Sequence, residues 1–163
     1  MGNKINKEKE KTDIKKPKDD KHPISEYKII FLGDSGTGAK STLINRIMGI
    51  EFNDNITSTT NPSFAPKHVD IGNNEEIILN LWDTIGQERY RSLVQLFLFN
   101  IDCVVLGYDI TNRESFNTIK YWHQTIKDLN LCNLIYLVGN KIDLYYRSMV
   151  NTEEANKFAE AEN

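Results

Sequence analysis

A short apolar run followed by a glycine-rich turn leaves this chain few ways to fold. The run Tyr27–Leu32 leads directly into Gly33-Asp34-Ser35-Gly36-Thr37-Gly38-Ala39-Lys40-Ser41-Thr42, and apolar residues at helix-like spacing follow. This pattern predicts a buried strand, a tight turn and a helix, in that order. In such a turn, backbone amides and the helix N-terminus can surround phosphate oxygens, with the Lys on the terminal phosphates and the Ser on magnesium. An ordinary glycine-rich turn is the alternative.

The rest of the chain alternates apolar runs with helix-like segments. Strands are predicted at 27–32, around 67–71, and at 77–82, 103–109 and 134–141, and helices at 41–49, 88–99, 113–129 and 152–162. The alternation predicts an α/β fold of three layers, with a mostly parallel sheet between helices. The turn Ile71–Asn74 is a hairpin signal, so the second and third strands should pair antiparallel. The first, fourth and fifth strands are apolar enough for burial on both faces, and Asn151 with Glu154 predicts a capping box.

Composition divides the chain into an arm and one domain. Residues 1–25 hold few large apolar side chains and two of the four prolines, which predicts a flexible arm before a single domain at 26–163. Residues 1–22 carry eight Lys against five Asp plus Glu, whereas the remainder carries 12 Lys plus Arg against 18 Asp plus Glu. Such an acidic domain does not favour nucleic-acid binding. Cys103 and Cys132 lie in apolar runs, as buried reduced cysteines do. No apolar run is long enough to span a bilayer.

Two further polar motifs follow predicted strands. In Trp82-Asp83-Thr84-Ile85-Gly86-Gln87-Glu88, the Asp can reach magnesium, the Gly86 amide can reach a terminal phosphate, and Gln87 can orient a water. In Asn140-Lys141-Ile142-Asp143, the last carboxylate can accept from guanine N1–H and from the exocyclic amine, a pattern that adenine lacks. Parallel strands end at one edge of their sheet, so the three motifs together indicate a guanine-nucleotide site. The third motif disfavours an adenine-nucleotide enzyme.

These motifs resemble those of the Ras superfamily of small GTPases, and of its Rab branch most closely. WDTIGQERYRSL, YDITNRESF with Trp122 after it, and LVGNKIDL are similar to Rab motifs, and the resemblance runs from Tyr27 to the end of the chain. It implies a P-loop NTPase fold that binds GTP or GDP with Mg²⁺ and hydrolyses GTP. It also implies a role in vesicle-mediated membrane traffic, on the cytosolic face of endomembranes. The segment Ser63-Phe64 is similar to the Rab5 group.

The resemblance also implies roles for individual residues. Gln87 would act in hydrolysis, and Phe64, Trp82 and Phe97 would form a hydrophobic triad for effectors, exchange factors and GTPase-activating proteins. Each of the three aromatic residues could instead be an ordinary core residue. The metal would be held by Ser41, Thr59 and Asp83, with Thr60 as the alternative to Thr59. The residues implied to contact nucleotide are Gly33, Asp34, Ser35, Gly36, Thr37, Gly38, Lys40, Ser41, Thr42, Thr59, Asp83, Gly86, Asn140, Lys141 and Asp143.

The chain departs from the family pattern in its phosphate loop, because Ala39 stands between Gly38 and Lys40. If the loop absorbs this extra residue, Lys40 recovers its place. If Ala39 instead begins the helix, Lys40 turns away from the phosphate by about 100°. Ile85 also stands where the family has Ala, and Asn61-Pro62 replaces a Gly-containing pair.

The two ends of the chain add further expectations. It ends at Asn163, before the family's sixth strand, second base loop and final helix, and is interpreted as C-terminally truncated. Gly2 satisfies part of a myristoylation signal, although Asn6 stands where Ser or Thr is preferred. An acyl chain with the arm's lysines could anchor the protein to a membrane, and an unmodified arm is the alternative. A Rab-like interaction module with weak or no nucleotide binding is the alternative to a nucleotide switch.

Overall fold

The computed structural model describes residues 24–53, 59, 61–86 and 91–161. The predicted arm therefore lies almost wholly outside the described residues. Within these ranges the strands are β1 (Ser25–Leu32), β2 (Ser63–Gly72), β3 (Glu75–Asp83), β4 (Cys103–Asp109) and β5 (Ile135–Asn140). The α-helices are α1 (Ser41–Ile47), α2 (Arg91–Gln95), α3 (Arg113–Asp128) and α4 (Thr152–Ala161), and a 3₁₀ helix covers Ile142–Arg147.

The strands form one sheet in the order β2-β3-β1-β4-β5. β1 pairs in parallel with both β3 and β4, and β4 pairs in parallel with β5. β2 is antiparallel to β3, and the turn between them contains Asn73 and Asn74 with φ of 55° and 62°. Two successive residues with positive φ match the twist of a tight hairpin, and Asn tolerates that conformation. The predicted α/β fold, with its mostly parallel sheet and one antiparallel pair, is confirmed.

Both faces of the central strand are buried because its side chains alternate between two clusters. Ile30 and Leu32 pack in the larger cluster with residues of α2, α3 and α4. Phe31 packs on the opposite face with Ile44 of α1 and Leu81 of β3. Helices thus cover the two faces of β1, which is the predicted three-layer arrangement. The carboxyl end of β1 is held from both sides, and the glycine-rich turn begins there.

The prediction that the fifth strand is buried on both faces was wrong. Tyr136 in β5 is 56% exposed, and β5 lies at one edge of the described sheet with β4 as its neighbour. β4 does meet the prediction, with Val104 and Leu106 in one cluster and Val105 against the other. An apolar run therefore does not distinguish an edge strand from a central one.

Two predicted helix features also needed correction. The predicted helix 88–99 is described as helical only over Arg91–Gln95, since residues 87–90 lie outside the description and the chain turns after Gln95. Asn151 does cap α4, because its Oδ1 accepts from the Glu153 amide at 2.8 Å. The Glu154 carboxylate, however, binds Arg113 through two contacts of 2.5 and 2.6 Å, so the capping box is not reciprocal.

Both cysteines are free, Cys103 buried and Cys132 only partly so. Within the described part of the chain, no helix combines the length and apolar character needed to cross a membrane.

Candidate functional site

The three polar motifs meet in one cleft at the carboxyl ends of β1, β3 and β5. The cleft has a volume of about 730 Å³. Its lining residues are Ser35, Gly36, Gly38, Lys40, Ser41, Thr42, Arg46, Phe52, Asn53, Thr59, Thr84, Gly86, Asn140, Lys141, Asp143 and Leu144. Ligands of open α/β sheets bind at this edge, where the strands end and loops take over. The structure thus brings together residues that the sequence places more than a hundred positions apart.

The phosphate loop folds its lysine back over its own first turn. Lys40 Nζ donates to the carbonyl oxygens of Gly33 at 3.0 Å and Asp34 at 2.7 Å. The side chain is 5% exposed, and burial lowers the pKa of Lys40 to about 8 against the opposing pull of Asp83 and Asp34. An ammonium held at the mouth of the loop by backbone oxygens is in place to pair with phosphate.

The extra residue is absorbed within the loop and does not begin the helix. α1 starts at Ser41, and Lys40 occupies the preceding cap position with φ −111° and ψ −88°, outside the helical region. Ala39 is buried, at 1% exposed, and its amide donates to Thr37 Oγ1 at 3.4 Å. Of the two arrangements that the sequence left open, the structure shows the one in which the loop absorbs Ala39.

Three hydroxyl and carboxylate oxygens converge behind the phosphate loop. Ser41 Oγ donates to Asp83 Oδ2 at 2.6 Å and lies 2.9 Å from Thr59 Oγ1, which itself lies 3.1 Å from Asp83 Oδ2. Oxygen ligands of this kind, including a carboxylate, suit Mg²⁺. Among the described residues, Asp83 Oδ1 is a buried oxygen with no hydrogen-bond partner. Because a buried carboxylate oxygen needs a partner, this set fits a bound cation. The alternative ligand Thr60 lies outside the described residues.

The segment after β3 lies directly on the phosphate loop. The Gly86 carbonyl accepts from the Ser35 amide at 2.9 Å, and Thr84 Oγ1 donates to the Phe31 carbonyl at 2.6 Å. A Cβ at Gly86 would come within 2.5 Å of the Ser35 amide nitrogen and 2.7 Å of the Asp34 carbonyl carbon, so only glycine permits this approach to the loop backbone. Gly86 was predicted to offer its amide to a phosphate, and here its carbonyl makes the contact with the loop. Ile85 is buried beside it. Gln87 lies outside the described residues.

Two side chains of the motif Asn140-Lys141-Ile142-Asp143 connect it to the phosphate loop. Asn140 Nδ2 donates to the Thr37 carbonyl at 2.9 Å, and Lys141 Nζ donates to the Gly36 carbonyl at 3.1 Å. Lys141 takes a left-handed backbone conformation, with φ of 65°. Asp143 is exposed and lines the cleft. The first two residues of the motif therefore brace the loop, and the third faces open space where a ligand could reach it.

Two residues that support the site were not predicted from the sequence. Asp109, at the end of β4, accepts from Lys141 Nζ at 2.6 Å and from the amide and hydroxyl of Thr111. Burial acts to raise the pKa of Asp109, but the hydrogen bonds from Lys141 and Thr111 hold it below its ordinary value. Thr118 of α3 donates to Asp34 Oδ2 at 2.8 Å. A carboxylate at a strand end was a usable signal for Asp109, whereas nothing local in the sequence points to Thr118.

The three aromatic residues of the predicted triad form one continuous cluster. Phe64 and Trp82 are cross-strand partners in β2 and β3, and their rings stack at 5.3 Å with an interplanar angle of 22°. Trp82 and Phe97 lie 5.9 Å apart at 41°. Phe64 is 57% exposed, whereas Trp82 and Phe97 are partly buried against the larger core cluster. The cluster is therefore anchored in the core at one end and reaches solvent at the other.

Comparison with known proteins agrees with this geometry. The family model described as "Ras family" matches residues 28–163. The Ras-related protein RABA1g of Arabidopsis thaliana is 38% identical over 139 residues, which are 84% of this chain and 63% of that protein. The GTP-binding protein ypt3 of Schizosaccharomyces pombe is 39% identical over 138 residues, with the same two shares. The Ras-related protein Rab-31 of Rattus norvegicus is 37% identical over 139 residues, 85% of this chain and 70% of that protein.

The chain therefore belongs to the Ras family of small GTPases. The names of its relatives, which include RABA1g, Rab11B and Rab-31, place it in the Rab group of that family. It spans about 63% of the length of the first two relatives described above. The resemblance to the Rab5 group stays a prediction, as does acylation at Gly2, which lies outside the described residues.

Proposed function

We propose that the protein is a guanine-nucleotide switch that binds GTP or GDP with Mg²⁺ in this cleft and hydrolyses GTP. In its GTP state it would recruit effectors in vesicle-mediated membrane traffic, at the cytosolic face of an endomembrane. One observation carries the proposal: a single cleft is lined by Lys40, Ser41, Thr59, Asn140, Lys141 and Asp143. Asp83 lies behind this lining, where it accepts from Ser41 and Thr59. Membership of the Rab group supports the cellular role.

The phosphate end of the cleft supplies charge and amides. Lys40 would close on the terminal phosphates, because its ammonium is already oriented by the Gly33 and Asp34 carbonyls. Ser41, Thr59 and Asp83 would hold the magnesium ion, directly or through water. The ion, when bound, neutralises charge on the phosphate oxygens. The protein's contribution is to keep these groups in position before the nucleotide arrives, so that little reorganisation is needed.

The base end supplies selectivity. Asp143 can accept from both N1–H and the exocyclic amine of guanine, whereas adenine would leave that carboxylate without matching donors. Asn140 and Lys141 hold the motif against the Thr37 and Gly36 carbonyls. The position of Asp143 relative to the phosphates is thereby fixed through the loop that binds them.

Hydrolysis would depend on Gln87, which follows Gly86 at the phosphate end. Its carboxamide would orient the attacking water, as the family resemblance implies. Turnover would be slow without a partner, because the arginine of the described cleft lining, Arg46, donates to the Ile50 carbonyl at 3.2 Å. A GTPase-activating protein would supply the missing positive charge.

The aromatic cluster Phe64–Trp82–Phe97 is the proposed effector surface. Phe64 lies at the start of β2, close in sequence to Thr59, and Trp82 immediately precedes Asp83 in β3. The ligands Thr59 and Asp83 and the rings of Phe64 and Trp82 thus share two segments, so a shift of either ligand between nucleotide states would also shift a ring. Exposed aromatic residues anchored on a rigid sheet are typical interaction anchors.

The test is single-turnover hydrolysis of GTP with Mg²⁺, comparing the wild type with Gln87→Leu. The variant should retain GTP affinity and lose at least about tenfold in rate, equivalent to about 1.4 kcal/mol of transition-state stabilisation. Gln95→Leu makes the same chemical change on the exposed side of α2 and should leave both quantities unchanged.

Three outcomes separate the hypotheses. Equal rates for wild type and Gln87→Leu, with GTP bound, would remove Gln87 from the mechanism. ATP bound as tightly as GTP would contradict the base assignment. Failure of the wild type to bind either nucleotide would exclude the switch and favour the second candidate, an interaction module that presents the aromatic cluster independently of nucleotide. Ile85, a β-branched residue buried beside Gly86 at the phosphate end, is the observation that favours that candidate.

A further inference from the structure

The extra residue of the phosphate loop packs onto a glycine in the middle of β4. A Cβ built on Gly107 would lie 2.4 Å from the Cβ of Ala39, 3.0 Å from its carbonyl oxygen and 3.3 Å from its carbonyl carbon. These are the three nearest atoms that it would meet, and all belong to Ala39. The volume that a side chain at position 107 would fill is therefore occupied by the extra residue itself.

Neither partner can easily withdraw from this contact. Gly107 pairs with Val138 of β5, and its neighbour Leu106 pairs with Leu32 of β1, so the β4 backbone is held on both sides. The loop also touches β4 at its first residue, since a Cβ at Gly33 would lie 2.1 Å from the Gly107 carbonyl oxygen. The two ends of the loop thus rest on one residue of β4.

Glycine within a buried strand weakens that strand, and it often marks a site where another part of the backbone approaches closely. Here the approaching backbone is that of Ala39. Because the bulge is accommodated above Gly107, α1 still begins at Ser41 and Lys40 Nζ still reaches the Gly33 and Asp34 carbonyls. Any side chain at position 107 would push the bulge toward the cleft, and Lys40 is the next residue along.

We propose that Gly107 is a positioning residue matched to Ala39, and that its lack of a side chain keeps Lys40 in register despite the inserted residue. The part of this proposal that concerns nucleotide rests on the function proposed above. The packing part does not, because the collision exists whether or not a ligand binds.

The experiment is a double-mutant cycle on the full-length gene product: wild type, Gly107→Ala, deletion of Ala39, and both changes together. GTP affinity with Mg²⁺ and the urea midpoint of unfolding are measured for each protein. Gly107→Ala alone should lower GTP affinity by at least about tenfold and lower the midpoint. In the background lacking Ala39, the same substitution should change affinity by less than about twofold, because the colliding atoms are gone.

Two further variants test the pairing of Gly107 with Ala39 more stringently. Ala39→Gly combined with Gly107→Ala removes the 2.4 Å contact but keeps the 3.0 Å contact to the carbonyl oxygen, so rescue should be partial. Gly139→Ala is the matched control, because its Cβ would meet Tyr108 Oη at 2.8 Å and has no Ala39 atom among its three nearest neighbours. Deleting Ala39 should not rescue that variant.

The outcomes are distinguishable. Equal damage from Gly107→Ala with and without Ala39, in both measurements, would overturn the pairing. A second outcome is that the effects of Gly107→Ala and of deleting Ala39 on the urea midpoint are coupled, but no protein binds nucleotide. This outcome would support the packing between the two residues. It would overturn both the positioning of Lys40 for nucleotide and the proposed function. If Gly107→Ala does not fold, recovery of a cooperative unfolding transition on deletion of Ala39 would support the pairing, and failure to recover it would overturn it.

Discussion

The two ends of the cleft are built in different ways. At the phosphate end, Thr37 and Ala39 are each 1% exposed and Lys40 is 5% exposed, so packing against the strands fixes the loop. At the base end, Ile142 is 77% exposed and Asp143 faces solvent. Position there depends on the hydrogen bonds of Asn140 and Lys141. Under the proposed function, affinity would be determined mainly by a buried, packed loop, and selectivity by an exposed carboxylate.

The largest effect is expected from Lys40→Ala. This substitution removes the ammonium group that the Gly33 and Asp34 carbonyls of the loop hold in position. Charge-assisted hydrogen bonds contribute about 1.5 to 3 kcal/mol each, so GTP affinity should fall by at least about 100-fold. Equilibrium titration with a fluorescent GTP analogue and Mg²⁺ measures this. Lys157→Ala, an equivalent change at a side chain that is 73% exposed on α4, should leave affinity unchanged. A loss below about threefold for Lys40→Ala would mean that packing alone holds the phosphates.

An intermediate effect is expected at the base end. Asp143→Asn exchanges an acceptor pair for one acceptor and one donor, so affinity for GTP should fall by about 10- to 100-fold. Affinity for XTP should rise, because xanthine presents the complementary pattern. Competition of GTP and XTP for one site gives the ratio directly, and Asp128→Asn on α3 serves as the control. An unchanged ratio would show that the base does not face Asp143.

The smallest effect is expected behind the base end, where Arg113 pairs with Glu154 and so links α3 to α4. The hydrogen bond from Arg113 lowers the pKa of Glu154 below its ordinary value of 4.5. A lowered carboxyl pKa stabilises the fold at pH above 4.5 and ceases to do so as the pH falls through the lowered value. Arg113→Ala should therefore reduce the unfolding midpoint slightly at neutral pH, with the difference vanishing in acid. A difference that persists after Glu154 is fully protonated would assign the effect to packing of the Arg113 stem.

The sequence predicted the fold well because its strands are short, apolar and separated by turns of clear chemistry. The hairpin at Asn73 and Asn74 and the strand that leads into Gly33 both followed from local residue types. The error at β5 has a physical cause: periodicity reports how apolar a strand is, whereas exposure depends on how many neighbours it has. Within the described residues, Tyr136 is exposed and its strand lies at the edge of the sheet.

From the sequence one could predict that the site residues lie at one edge of a sheet, but not the exact position of each residue within its loop. In the structure Ala39 packs against Gly107, a residue far along the chain that no local sequence pattern connects to the loop. The bracing of Lys141 by Asp109 was missed for a similar reason, since their pairing arises only when β4 and β5 lie side by side. Long-range contacts of this kind require the three-dimensional structure.

The contact between Ala39 and Gly107 also constrains the order in which the two residues could have been acquired. A chain that gained the extra residue while still carrying a side chain at position 107 would have faced a collision with a backbone held on both sides. A chain that first changed position 107 to glycine would have lost only about 0.5–1 kcal/mol, the usual effect of glycine inside a strand. While the inserted residue is present, a side chain at position 107 would meet Ala39, so the glycine is constrained for as long as the insertion remains.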